Sequence, residues 1–174
     1  MHAGMNNNTT KTVVSALFVA LTAVCSWISI PVPGTSVPIN LATFAVLLTG
    51  IMLGSRQGMF AISVFLIIGA VGVPVFSGFT GGLGILLGPT GGFLIGYLAM
   101  AGIAGRYRGG KLPFAVICLV AEAALYAFGV IWFMISTGSG AAAAIAACVL
   151  PFVPGDCVKA VLVWIVSERL KRVI

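Results

Sequence analysis

The segment Pro151-Phe152-Val153-Pro154-Gly155-Asp156-Cys157-Val158-Lys159 decides how this chain is read. It interrupts an apolar run that otherwise extends from Ala141 to Val166. Two prolines and a glycine break a helix there, because proline lacks a backbone donor and clashes with the preceding turn. The chain then resumes as a helix whose first turn carries Asp156 and Lys159, one turn apart on one face. Counted back from Glu168 as the membrane boundary, Asp156 lies roughly 18 Å deep at about 1.5 Å per residue. That depth falls inside a hydrocarbon core about 30 Å thick. An ionisable group costs about 3 kcal/mol there on insertion scales, so such residues usually serve a site.

The rest of the chain fits a bilayer. It has 174 residues, 60% hydrophobic and 7% charged, with a mean hydropathy of +1.20. A soluble domain carries far more charge, so the composition predicts an all-α integral membrane protein forming a single membrane domain over 1–174. Six transmembrane helices are expected at about 12–30, 41–53, 59–73, 92–103, 113–135 and 150–168. That leaves no room for a soluble catalytic or nucleic-acid domain. The polar start Met1 to Thr10 leads directly into a long first span, so no cleavable signal peptide is expected.

Six spans place eight basic residues on one side: Lys11, Arg56, Arg106, Arg108, Lys111, Arg169, Lys171 and Arg172. The positive-inside rule makes that side cytoplasmic, with both termini inside. The same placement explains the net charge of +6 without nucleic acid as a partner. Lys159 alone departs from the pattern.

On the opposite side lie Pro31 to Asn40, Pro74 to Gly92 and Ser136 to Gly140, while Gly54 to Gly58 forms an inner turn. The loop from Pro74 to Gly92 is long, glycine-rich and apolar. Irregular backbone at membrane depth survives only against protein or a cavity. This glycine-rich outer loop is therefore expected to fold over a ligand pocket and to meet the break at Pro151 to Gly155.

Asp156 and Lys159 suit such a pocket, since one accepts hydrogen bonds and the other donates them and carries charge. A broken helix also presents free N–H groups beside polar ligand atoms. The bland alternative is a self-neutralising pair with Lys159 snorkelling outward. Glu122 lies roughly 13 Å into the fifth span, with Tyr126 one turn further on the same face; a ligand contact and a structural interhelix bond fit it equally. Trp27, Phe76, Phe79, Phe93, Phe128 and Trp132 read mainly as an interfacial belt, with one or two walling the pocket.

Other motifs carry less. Gly105-Arg106-Tyr107-Arg108-Gly109-Gly110-Lys111 matches the start of a Walker A loop, but Leu112 and Pro113 follow, with no preceding strand. It reads as a basic inner loop. Cys25, Cys118, Cys148 and Cys157 lack metal-ligand spacing and read as small buried apolar residues, so no metal is expected. No serine has a histidine partner within the spans, which argues against an intramembrane hydrolase and for no catalytic residues. Ala16 and Ala20, with Thr12 and Ala23, form a small-residue face that lets another helix approach closely; Gly92 and Gly96 do the same in the fourth span.

Three blocks together resemble the BioY family, the biotin-binding S component of energy-coupling-factor (ECF) transporters. They are Gly72-Val73-Pro74-Val75-Phe76, Leu87-Gly88-Pro89-Thr90-Gly91-Gly92-Phe93 and the opening segment. Val37-Pro38-Ile39-Asn40-Leu41 and the stretch from Glu122 to Trp132 extend the likeness over nearly the whole chain. The resemblance implies an S component that captures biotin from outside, in the plasma membrane of a prokaryote. It implies as partners a transmembrane coupling subunit and two ATPase subunits, with biotin as transported ligand and no cofactor. Ala16 and Ala20 match the family's Ala-x-x-x-Ala surface for the coupling subunit. Asp156 and Lys159 match its pocket residues, and Glu122, Tyr126, Phe79, Gly82 and Asn40 complete the expected ligand set. Where many relatives have Gln this chain has Ala42, and where some have Arg it has Leu86 and Leu87; this leaves open which group meets the carboxylate, with backbone amides of the glycine loop as one candidate. The alternative is an S component or a stand-alone carrier for a different small vitamin.

Overall fold

Eight helices and one short hairpin make up the described part of the chain, residues 8–31 and 37–173 of a computed structural model. Expectations for Met1 to Asn7, for loop residues 32–36 and for the side chain of Arg172 fall outside the described residues. The helices are α1 (Asn8–Trp27), α2 (Ala42–Leu53), α3 (Ser55–Ala70), α4 (Leu83–Leu87), α5 (Gly91–Ala104), α6 (Lys111–Thr137), α7 (Ala141–Cys148) and α8 (Val153–Val173). Strands β1 (Ser29–Ile30) and β2 (Ile39–Asn40) pair antiparallel between α1 and α2.

This is a membrane protein. Helices α1 and α6 are each long and apolar enough to cross a bilayer, and α7 with α8 qualifies as a pair bent by 45°. Helices α2, α3 and α5 are apolar but shorter, at 12, 16 and 14 residues. Helix α2 is buried along most of its length, so it forms the middle of the bundle. Large apolar side chains such as Leu17, Ile67, Leu119 and Ile135 point outward, as expected when the surrounding solvent is lipid.

Several element ends differ from the sequence expectation. The first helix stops at Trp27 because Ser29 and Ile30 pair with Asn40 and Ile39 instead of continuing it. The turn expected at Gly54 to Gly58 shrinks to Gly54, whose φ of +81° reverses the chain at once. Helix α3 then starts at Ser55, whose hydroxyl donates to the Gly102 carbonyl at 2.6 Å. The third helix ends at Ala70, and the following loop holds the short helix α4. Helix α6 begins at Lys111, since Pro113 in a first turn has no N–H that the helix needs.

The break in the last span lies at residues 149–152, earlier than expected. Pro154 and Gly155 belong to the first turn of α8, where proline is tolerated. The Asp156 amide donates to the Phe152 carbonyl at 2.9 Å, which locks the restart.

Helices α5 and α6 pack backbone to side chain. A Cβ at Gly92 would lie 2.3 Å from the Trp132 Cβ, and one at Gly129 2.3 Å from the Phe93 ring. Gly92 and Gly96 therefore serve packing within the bundle. Cys25, Cys118 and Cys148 are buried as expected, whereas Cys157 faces outward on α8.

Candidate functional site

The geometry centres on a triangle of polar atoms at the start of α8. Lys159 Nζ donates to Asp156 Oδ1 at 2.8 Å and to Thr43 Oγ1 at 3.0 Å. Thr43 in turn donates its own proton to Asp156 Oδ1 at 3.3 Å, while the Tyr126 hydroxyl donates to Asp156 Oδ2. Asp156 and Lys159 are 5% and 6% exposed. Lys159 thus turns into the bundle rather than snorkelling out. Their spacing on one helix face brings them together, and Thr43 reaches them from the first turn of α2.

These groups line a cavity of about 250 Å³. Its apolar walls are Phe76, Ile85, Phe93, Leu94, Leu125 and Phe152, and its polar lining includes Asn40, Ser77, Thr80, Thr90 and Tyr97. Each element contributes for a local reason. Phe76 folds inward because its amide donates to the Thr80 carbonyl at 2.9 Å and its ring lies against Gly69 and Phe65. Asn40 is held by its Oδ1, which accepts from the Ala42 amide at 3.1 Å, and by its Nδ2, which donates to Ser77 Oγ at 2.6 Å. Phe93 stacks on Phe152 with centroids 6.4 Å apart, joining α5 to the helix break. Residues from the glycine-rich loop and from the break therefore share one cavity.

Such a chamber has a defined chemistry. Lys159 has three N–H donors and commits two to Asp156 and Thr43, leaving one for a guest. The carboxylate of Asp156 keeps lone pairs for N–H groups of a guest. Aromatic and aliphatic walls suit a small ring system with polar groups at its ends.

Of the residues expected from sequence, Asp156, Lys159, Tyr126 and Asn40 line this cavity. Phe79 does not: at φ +57° its backbone turns the ring outward, where it stacks on Trp27 at 4.9 Å and is 65% exposed. Gly82 is likewise outside, fixed by its amide donating to the Gly69 carbonyl at 2.7 Å. Glu122 lines a second cavity, and neither of its carboxyl oxygens has a hydrogen-bond partner among the described residues. Ala16 and Ala20 lie exposed on α1. Trp27 and Trp132 donate their indole N–H groups to the carbonyls of Pro74 and Gly88, so they pin the loop.

Sequence reasoning missed Thr43 and Tyr97. Both stand in otherwise apolar helices, and no local spacing distinguishes them from threonines and tyrosines that only pack.

The chain matches the BioY family across residues 1–174. This chain belongs to the BioY family. Its relatives include a probable biotin transporter BioY from Pyrococcus horikoshii, 40% identical over 90% of this chain and 93% of that one. A biotin transporter BioY from Thermotoga maritima is 36% identical over 91% of this chain and 94% of its own length. Among solved structures, the S-component for biotin from an ECF-type ABC transporter superposes with a TM-score of 0.88 at 26% identity, covering 97% of this chain and 95% of that one. In this BioY-family chain the lysine–aspartate–threonine triangle stands at the one chamber whose walls come from both the glycine loop and the broken helix, among the described residues.

Proposed function

We propose that this chain is the substrate-binding S component of a biotin uptake transporter, and not an enzyme. The observation that carries the reading is the buried Asp156–Lys159–Thr43 triangle facing an aromatic-walled chamber in a BioY-family chain. Biotin presents two ureido N–H groups and a carbonyl at one end and a carboxylate at the other. Asp156 accepts the ureido N–H groups, Lys159 donates its remaining N–H to a ligand oxygen, and Asn40 and Tyr126 hold the surrounding lining.

Six segments cross the membrane in this reading: α1, α2, α3, α5, α6 and the broken α7–α8. Both termini are cytoplasmic, in the plasma membrane of a prokaryote. Supporting that placement, Lys11, Arg56 and Arg108 border a single cavity at one end of the bundle, as positive-inside charges would. The Lys171 ammonium lies 4.4 Å from the Tyr107 ring, which brings the end of α8 to the same end. The glycine-rich loop caps the chamber from the other end. Helices of 12 to 16 residues span about 18 to 24 Å, so the membrane thins around them.

Ala16 and Ala20 receive the coupling subunit, and two ATPase subunits drive release. Competition binding tests the ligand: purified protein is loaded with labelled biotin and challenged with other vitamins. Displacement by unlabelled biotin alone supports the reading. Tighter binding of another vitamin would replace it.

A further inference from the structure

Glu122 is a buried acid that the ligand chamber does not use. It is 8% exposed, and neither carboxyl oxygen has a hydrogen-bond partner among the described residues. Its side chain lines an open groove of about 530 Å³ between α6 and α8, with Phe114, Leu119, Val161 and Trp164 along it. Asp156 and Tyr126 line both this groove and the ligand chamber. Glu122 therefore sits directly behind the wall that holds the ligand.

The charged and titratable groups around it are few. Asp156 and Lys159 act on it from α8, Tyr97 from α5, and Cys118 and Tyr126 from its own helix. Lys111 and Cys157 border the same groove. Lys159 is already engaged by Asp156 and Thr43. A carboxylate buried without a donor is strongly disfavoured, and a bound proton removes the problem.

We propose that Glu122 is a proton-binding site linked to ligand capture, holding a proton while an anionic ligand fills the neighbouring chamber. For its ligand this rests on the biotin reading. Asp156 and Lys159 together carry no net charge, so the ligand carboxylate adds one negative charge to a dry region. A second negative charge on Glu122 would repel it through this region of low dielectric even from the far end of the ligand. Proton on Glu122 and anion in the chamber thus favour each other, by the same factor in both directions. The sign follows: affinity is highest where Glu122 is protonated and falls as pH rises through its titration. One linked proton limits the fall to about tenfold per pH unit.

Two measurements on the full chain in lipid nanodiscs test this. Infrared spectra of ligand-free protein near neutral pH should contain the carbonyl stretch of a neutral carboxylic acid, lost in Glu122→Gln. Glu122→Met serves the same purpose should the amide variant fold poorly. Biotin titrations above about pH 6, where the ligand carboxylate is already ionised, should weaken with rising pH in the wild type. In Glu122→Gln the profile should be flat. Absence of the acid band, its persistence in the variant, or an unchanged pH profile in the variant overturns the proton site. Wild-type protein that binds no biotin at any pH overturns the ligand reading instead, and leaves the infrared result to stand by itself.

Discussion

Lys159 Nζ lies 2.8 Å from Asp156 Oδ1, and both groups are almost wholly withdrawn from the surface. A pair this dry gains little stability over apolar side chains of similar size, because desolvation offsets most of the attraction. Two neighbours complete it. Thr43 bridges the two charges, and Tyr126 holds the far carboxylate oxygen. An arrangement that contributes little to folding but fixes three donors and an acceptor at a chamber wall is what the proposed ligand site requires.

Thr43→Val keeps the side-chain shape but removes both the donor to Asp156 and the acceptor for Lys159. Loss of a hydrogen bond to a charged group costs about 1.5 kcal/mol, so biotin affinity should fall roughly tenfold. Equilibrium binding with labelled biotin checks this, with unchanged affinity counting against a role for Thr43.

Tyr126→Phe deletes only the hydroxyl bonded to Asp156 Oδ2. The carboxylate then loses one anchor, and affinity should drop by a comparable factor of about ten. Isothermal titration reads the change, while a melting curve in detergent should move little.

Gly129→Ala tests the α5–α6 contact that positions a chamber wall. The added methyl would meet the Phe93 ring at 2.3 Å, and overpacking of this kind costs about 1 to 3 kcal/mol. The melting temperature should fall, and binding should weaken with it because Phe93 lines the chamber. A variant with wild-type stability would show that α5 and α6 sit further apart.

Ala16→Leu combined with Ala20→Leu leaves the chamber untouched but fills the small-residue face of α1. Biotin binding should stay at the wild-type level, whereas ATP-driven uptake in cells or liposomes with the full transporter should be largely lost. Normal uptake would move the coupling surface elsewhere on the protein.

How much of this was legible in the sequence depended on the kind of signal. A helix break beside an acid and a base in an apolar run is a local pattern, and it led to Asp156 and Lys159. Thr43 carried no such pattern. Thr22 and Thr49 stand in similar apolar helices and donate to the carbonyls four residues back, at 2.8 and 2.6 Å. Only the three-dimensional neighbour, Lys159, distinguishes Thr43 from them. Ser29 and Ile30 continue an apolar run that reads as helix, yet long-range pairing with Ile39 and Asn40 prevails. The apolar content of the glycine loop pointed to packing against the bundle, but which residue it would turn inward was not readable. Phe76 enters the chamber and Phe79, three positions later, turns out to Trp27 because of a single left-handed backbone conformation.

The most direct measurement is biotin titration of wild-type protein and of Asp156→Asn, both purified from the membrane and shown to be folded. The amide keeps the shape but leaves Lys159 without its counter-ion and removes the charged acceptor for the ureido N–H groups. A loss of about 3 kcal/mol, roughly a hundredfold in affinity, is the expected result. Equal biotin affinity in the two proteins would contradict the account.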